Sequence, residues 1–341
     1  MVSDFKNEKL RVEKLLDNEK VKSFSIDITN RCNLKCLHCY NESGDSNRHN
    51  YDNELTDDEL IKLATHLAEW QIEQICICGG ETLLRFEILL KMVEILSKAR
   101  VICNLVSNGL LLDDAKAKRL KAAGIYGVQI SVDGLGIEHN LFRNNTNSFD
   151  AAIKALKILK ENGIHTMVSL CPNKYNFRNF ENYIKYISTL GCDSVRMMPL
   201  IPMGRGHKNT DLIRLSSMEL FEFVQVVNKM KKKYKDIIEI EWGDPVEHIF
   251  LVLKSRRKFP VTFGVFSDGS YHFTPYLPIK LSNCKQYSPK EIWENGFKVL
   301  FAEKSIIDIM SECVTIDDFY EVGEKYIISN SIDWEKIKLH G

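Results

Sequence analysis

Ser25 to Asn41 reads SIDITNRCNLKCLHCYN. The β-branched, mostly apolar run from Phe24 to Thr29 predicts a short strand, which the polar Asn30-Arg31 pair ends. Cys32, Cys36 and Cys39 then arrive on one loop, and the next helix signal waits until Thr56. Three thiols are therefore held at the C-terminal end of a strand. In parallel α/β folds that edge is where ligands bind, because the loops there converge over the sheet.

Iron–sulfur cubes are normally held by four thiolates, one per iron, so a site with three leaves one iron open to a substrate or cofactor. Zinc is the competing chemistry. Three Cys and one His make a closed tetrahedral site, with His38 beside Cys39 and His49 in the polar stretch beyond as the available imidazoles. Ordinary core thiols are a third reading, and the loop alone leaves all of these open. The chain has ten cysteines, a number better read as metal ligands plus core thiols than as a disulfide framework.

Outward from the loop, short β-branched runs alternate with amphipathic helices, the pattern that builds a parallel sheet from βαβ units. Strands are predicted at Phe24 to Thr29, Glu73 to Cys78, Val101 to Ser107, Gly127 to Val132, His165 to Leu170 and Ser194 to Met198. They read as mostly apolar, as strands covered on both faces should be. Thr56-Asp57-Asp58-Glu59 forms a capping box ahead of the Leu60, Leu63, Leu67 face. Ser148 opens another helix, and Gly124, Gly163 and Gly191 supply C-terminal stops. Six such units fall short of the eight that close a barrel. The expected fold class is therefore α/β, an open partial (β/α)6 barrel with a small irregular α+β C-terminal domain. The expected divisions are an N-terminal helix over 1–24, the core over 25–210 and the C-terminal domain over 211–341. After Pro199 the alternation fails: PLIPMGRG (199–206) reads as a long connection, and Ser216 or Ser217 caps a helix whose lysine-rich tail is a solvated end.

The chain has 341 residues, enough to bury a full core, and its 46 basic and 46 acidic side chains cancel. Composition therefore announces no attraction to nucleic acid or to an anionic membrane. No window reaches the ~18 uninterrupted apolar residues of a membrane helix, and the charged N-terminus is unlike a secretory signal. The chain is expected to be cytoplasmic.

CxxxCxxC in the setting SIDITNRCNLKCLHCYN resembles the signature of radical S-adenosylmethionine (AdoMet) enzymes, and is similar to the subgroup carrying a C-terminal SPASM or twitch domain. The resemblance implies a [4Fe–4S] cluster on Cys32, Cys36 and Cys39 whose open iron is chelated by AdoMet. It also implies reductive cleavage to a 5′-deoxyadenosyl radical and an electron donor such as flavodoxin or ferredoxin. Cys78-Gly79-Gly80-Glu81-Thr82 stands where the family has GGEP; alone, it would be a tight strand-to-helix turn. The resemblance makes Gly79, Gly80 and Glu81 contacts to the amino group of AdoMet, with Thr82 replacing the proline. Asn108 in Ser107-Asn108-Gly109, Ser131 in Ile130-Ser131-Val132-Asp133-Gly134, Arg143 in HNLFRNN and His38 within the cysteine motif complete the cofactor-binding set. Arg143 suits a carboxylate, which its fork can grip in two places.

Farther on the resemblance thins. Phe266-Ser267-Asp268-Gly269-Ser270-Tyr271, followed by Ile292-Trp293-Glu294, resembles the hairpin and IW segment of a SPASM domain. A cysteine is expected soon after that turn, but His272, Phe273, Thr274 and Pro275 stand there. Cys284 and Cys313 cannot by themselves hold a four-thiolate auxiliary cluster, so a redox-neutral reaction is expected. Cys76 and Cys78 are expected to be core thiols. Cys171, at the end of the fifth strand and facing the expected cavity, is read as a small buried hydrophobe in preference to a third auxiliary ligand or a radical partner. Cys103 and Cys192 give no functional signal. The resulting expectation is an enzyme acting on a peptide or small metabolite; a binding protein that kept the fold without catalysis is the alternative.

Overall fold

A computed structural model describes residues 23–47, 51–254, 262–272, 274, 276–277, 280, 282–294 and 304–329. The helix expected over 1–24 lies outside these residues, except that Ser23 and Phe24 are already strand. His49, Phe273 and Pro275 lie outside them too.

Six strands form where the apolar runs predict them: β1 (Ser23–Asp27), β2 (Gln74–Cys78), β3 (Ile102–Ser107), β4 (Gly127–Ser131), β5 (His165–Leu170) and β6 (Ser194–Met197). They pair in parallel and in chain order, which the helical crossovers between them allow. Thr56 caps the first of these helices as expected: its Oγ1 accepts the Glu59 N–H at 3.3 Å, and Glu59 Oε2 accepts the Thr56 N–H at 2.8 Å. Ser216 does the same with Glu219. Ser148 does not cap. Its hydroxyl donates to Asn140 Oδ1 at 3.0 Å, and that same oxygen accepts the Phe149 N–H at 2.9 Å. The helix start is thus satisfied from the preceding helix, a partner that local sequence does not reveal.

The sheet continues past six strands. β7 (Glu239–Trp242) lies parallel beside β6. Glu239 and Glu241 interrupt its apolar run, and only Ile240 is buried, which is why the alternation looks lost after Pro199. β8 (Thr262–Val265) pairs in parallel with β1, and β9 (Tyr271–His272) folds back antiparallel on β8. One nine-stranded sheet results, in the order β7-β6-β5-β4-β3-β2-β1-β8-β9. It runs without a break past residue 210.

The expectation of strands covered on both faces is corrected. Ile26, Ile77, Leu105, Ile130, Val168 and Val195 are fully buried on one face. The alternate residues, among them Ser25, Asp27, Cys76, Asn104, Gln129, Ser131, Ser169, Arg196 and Glu241, are largely polar and fall on the other, by the period of two of a pleated strand. This second face is concave. The Arg196 guanidinium on β6 is close enough to Cys76 on β2 to favour its ionisation, although four strand spacings of ~4.8 Å would hold them about 19 Å apart in a flat sheet. Tyr276, just beyond β9, donates its hydroxyl to Met198 Sδ beside β6 at 3.6 Å, so the C-terminal segment reaches across from one side of the curl to the other.

Candidate functional site

The three thiols sit on the loop after β1, and each receives a donor. The Leu34 N–H reaches Cys32 Sγ at 3.4 Å, the Ser43 N–H reaches Cys39 Sγ at 3.3 Å, and Arg143 Nη1 reaches Cys36 Sγ at 3.7 Å. The donors to Cys32 and Cys36 oppose, without overcoming, the burial that pushes Cys32 up to about 12 and raises Cys36. The loop carbonyls are gripped from the connection after β6. Arg205 donates from Nε to Cys36 O (2.9 Å), from Nη2 to Ser43 O (2.7 Å) and from its backbone N–H to Cys39 O (2.9 Å), while Asn209 Nδ2 reaches Leu37 O at 3.0 Å. Gly204 turns with φ +56°, where a Cβ would collide with the Tyr40 carbonyl. PLIPMGRG is therefore a clamp on the cysteine loop as well as a connection. The arginine between two glycines was its visible signal, and sequence reasoning missed it.

Among the described residues no three His, Cys, Asp or Glu side chains close on one point as a single metal ion requires. The ring of His38 stacks on Phe142, with centroids 4.2 Å apart and planes 2° apart, and burial beside Arg143 lowers its pKa to about 3. It stands apart as a neutral ring, so His38 does not complete a closed three-Cys, one-His zinc arrangement. Three donor-supported thiols on one open loop fit a cube with a free corner.

The glycine turn after β2 is joined to the same loop. The Gly80 N–H donates to Thr29 O at 2.6 Å and the Glu81 N–H to Arg31 O at 2.9 Å; a Cβ on Gly80 would collide with the Arg31 carbonyl. Thr82 donates its hydroxyl to Val106 O at 2.9 Å, a tether that replaces the stiffness of a proline. Glu81 is 1% exposed. Its Oε1 accepts from the Leu83 N–H (3.0 Å) and Ser107 Oγ (2.9 Å), and Oε2 from the Asn108 N–H (2.9 Å). Burial raises its pKa, and these donors oppose the rise. A carboxylate has about four acceptor positions, so one on Oε2 stays available.

Asn108 Nδ2 donates to Asn33 Oδ1 at 2.7 Å, inside the cysteine motif. Asn108 follows Ser107, which pairs with Ile130; it therefore stands beside Ser131, and the same row continues through Ser169, Arg196 and Glu241. Most of the Arg143 fork is engaged within the chain. Nε and Nη2 both lie 2.6 Å from Asp133 Oδ2. Asp133, 1% exposed, also accepts the Cys171 N–H at 2.7 Å. Burial alone would raise its pKa; the guanidinium holds it low instead. Asp133 was missed by sequence reasoning, though it stood in the quoted Ser-Val-Asp-Gly.

Cys76 and Cys78 are corrected from core to the concave face, where their sulfurs lie 3.4 Å apart. Asp27 lies in register with Cys78 and accepts from Asn41 Nδ2 at 2.8 Å; burial pushes its carboxyl up to about 6. Cys103 and Cys192 are buried, and Cys171 packs partly buried against the core. Cys284 and Cys313 belong to the C-terminal segment, away from the cysteine loop along the chain.

A curled parallel sheet bearing three thiols, a buried glycine-turn glutamate and a polar rim at its strand ends defines a protein of the radical AdoMet type. The chain belongs to the radical SAM superfamily, whose family model matches residues 26–187; this family uses a [4Fe–4S] cluster and AdoMet. It is similar to the Fe-coproporphyrin III synthase of Methanosarcina barkeri, with 30% identity over 58% of this chain and 49% of that protein. It is also similar to the probable GTP 3',8-cyclase of Methanococcus aeolicus, with 30% identity over 66% of this chain and 67% of that protein. The chain spans about half the length of several curated relatives it matches. Its fold resembles Streptococcus suis SuiB bound to S-adenosylmethionine, with a TM-score of 0.67, 13% identity, and coverage of 86% of this chain and 71% of that one. No helix among the described residues is long and apolar enough to cross a membrane.

Proposed function

We propose that this protein binds one [4Fe–4S] cluster on Cys32, Cys36 and Cys39, cleaves AdoMet reductively there, and directs the resulting radical at a peptide or small metabolite held against the concave face. The cluster, when bound, supplies the electron for that cleavage. The carrying observation is that three donor-supported thiols share one rim with the glycine turn and with Asn108 and Ser131. The backbone of Gly79 and Gly80 and the spare Glu81 acceptor suit the AdoMet amino group. Arg143 has five N–H groups; three point at Asp133 and Cys36, so two remain for a carboxylate. Asp133 holds that fork in place and His38 lends a neutral ring to the pocket wall. Asp27 and Arg196 set opposite charges on the concave face, which favours a polar substrate. The described C-terminal residues carry two thiols, Cys284 and Cys313, fewer than a four-thiolate cluster needs, which supports a redox-neutral outcome.

Anaerobically reconstituted protein should hold roughly four irons per chain and form 5′-deoxyadenosine from AdoMet with dithionite. Replacing Cys32, Cys36 and Cys39 together by Ala should abolish both. A four-iron cluster retained in that triple variant would overturn the reading.

A further inference from the structure

The concave face carries a pair of groups that neither the cluster nor AdoMet needs. Cys76 and Cys78 are two residues apart on β2, so both side chains leave the sheet on the same side, with their sulfurs 3.4 Å apart and unbonded. Side chains on one strand face run parallel, which strains any disulfide between them. Cys78 is the last residue of β2 and is joined directly to Gly79, placing its thiol immediately beneath the glycine turn. Asp27 lies in register beside it, and the pair interacts electrostatically with Tyr40 of the cysteine loop and, at Cys76, with Arg196 of β6. Cys103, by contrast, is a fully buried core thiol. A dithiol set among Asp, Tyr and Arg under the cofactor rim is not explained by packing.

We propose that Cys78, backed by Cys76, is a hydrogen-atom donor to carbon radicals formed against the concave face. This rests on the enzyme reading above and names a further catalytic residue for it. An S–H bond is weaker than most C–H bonds, so transfer to a carbon radical runs downhill. The S–H bond breaks homolytically, a C–H bond forms, and the unpaired electron is left on sulfur. The two sulfurs are in hydrogen-bond contact at 3.4 Å, and either can be the donor. Cys78, the last residue of β2 and joined to the glycine turn, is the sulfur nearer the cofactor rim and so the one that delivers the hydrogen. Cys76 is the neighbouring sulfur over which the unpaired electron then spreads. One electron from a flavodoxin- or ferredoxin-class reductant and one proton from water restore the thiol, so the cycle is balanced.

The test needs no substrate. Reconstituted protein, AdoMet and dithionite are combined in D2O, where thiols exchange to S–D and C–H bonds do not, and the 5′-deoxyadenosine formed is analysed by mass spectrometry. Wild type should yield product carrying one deuterium. Cys76→Ala/Cys78→Ala should lose that label, as should Cys78→Ser, which preserves volume and whose O–D bond is too strong to donate. Tyr40→Phe, which removes the neighbouring exchangeable hydrogen, should keep it. Independently of turnover, phenylarsine oxide should bridge the two thiols and be recovered on the tryptic peptide spanning 63–85. Unlabelled product from wild type, a label that survives in the double variant, or failure of the arsenical to bridge would each overturn the proposal. Absence of 5′-deoxyadenosine from cluster-loaded wild type is a different result: it defeats the enzyme reading, and the proposal falls with it.

Discussion

The cysteine loop and the C-terminal hairpin leave neighbouring parallel strands, β1 and β8, at the same edge of one sheet, yet they arrive at opposite chemistry. After β1 the chain stays open. Its carbonyls are held by Arg205 and Asn209, and its sulfurs receive N–H groups from Leu34, Ser43 and Arg143. After β8 the chain turns straight back. The Phe266 N–H donates to Ser270 O and the Gly269 N–H to Phe266 O, both at 2.9 Å, and Asp268 Oδ1 accepts the Ser270 N–H at 3.0 Å. That turn satisfies itself. Cys284, tied to it by an N–H···O bond to Gly269 at 2.8 Å, is pushed up to about 12 by burial, and Cys313 to about 11. A strand end becomes a metal site when its loop is held open from outside and its thiols are given donors. Burial raises Cys32 to about 12 as well, so what separates the two loops is that the first gathers three thiols and the second, closed by its own backbone, gathers Cys284 alone.

The largest effect on stability should come from the buried ion pair supporting the first loop. Arg143→Ala leaves the Asp133 carboxylate buried without its partner, a change that costs about 3–5 kcal/mol. Urea denaturation of the cluster-free protein measures this, and Arg143→Met/Asp133→Asn should recover most of it. A loss below about 1 kcal/mol would mean that the pair does not anchor the site, and the contrast between an externally held loop and a self-closed one would lose its main support.

A smaller and pH-dependent effect belongs to Asp27. Its folded pKa of about 6 lies above the ordinary 3.8 because burial, and secondarily the Asp268 charge, disfavour the ionised form, while the Asn41 hydrogen bond works against them. The folded state therefore binds the proton more tightly than the unfolded one, and stability falls as pH rises from about 4 through about 6. The penalty reaches about 3 kcal/mol at most. Asp27→Asn, which can still accept from Asn41, should be more stable than wild type at pH 8 and equal to it near pH 4. Melting curves across that window decide; a stability difference that does not change with pH would remove Asp27 as the titrating group.

The smallest expected effect is none. Cys284→Ser/Cys313→Ser should retain the full iron content, because two thiols cannot by themselves hold a four-thiolate cluster. Wild-type iron near roughly eight per chain, halved in the double variant, would show that the C-terminal segment holds a second cluster and that the comparison misjudges it.

Much of this was legible along the chain. The six parallel strands, the Thr56 and Ser216 caps and the cysteine motif rest on local periodicity or short spacing, which a single pass over the residues exposes. β7 was not legible, because an edge strand buries too little to declare itself. Cys76 and Cys78 were placed in the core because alternation says that two residues share a face but not which face the helices cover. Arg205 and Asp133 were missed since each acts on groups distant in sequence: Arg205 reaches Cys36 across 169 positions.

By itself, then, the sequence determined which residue types stand at the strand ends and in what order, since helix and strand periods and turn chemistry are short-range properties of the chain. Only the tertiary structure decided which face of the sheet is hollow, which arginine pairs with a buried carboxylate, and which thiols meet. Those outcomes depend on the curl of the sheet and on burial, both of which arise from contacts between segments far apart in the chain.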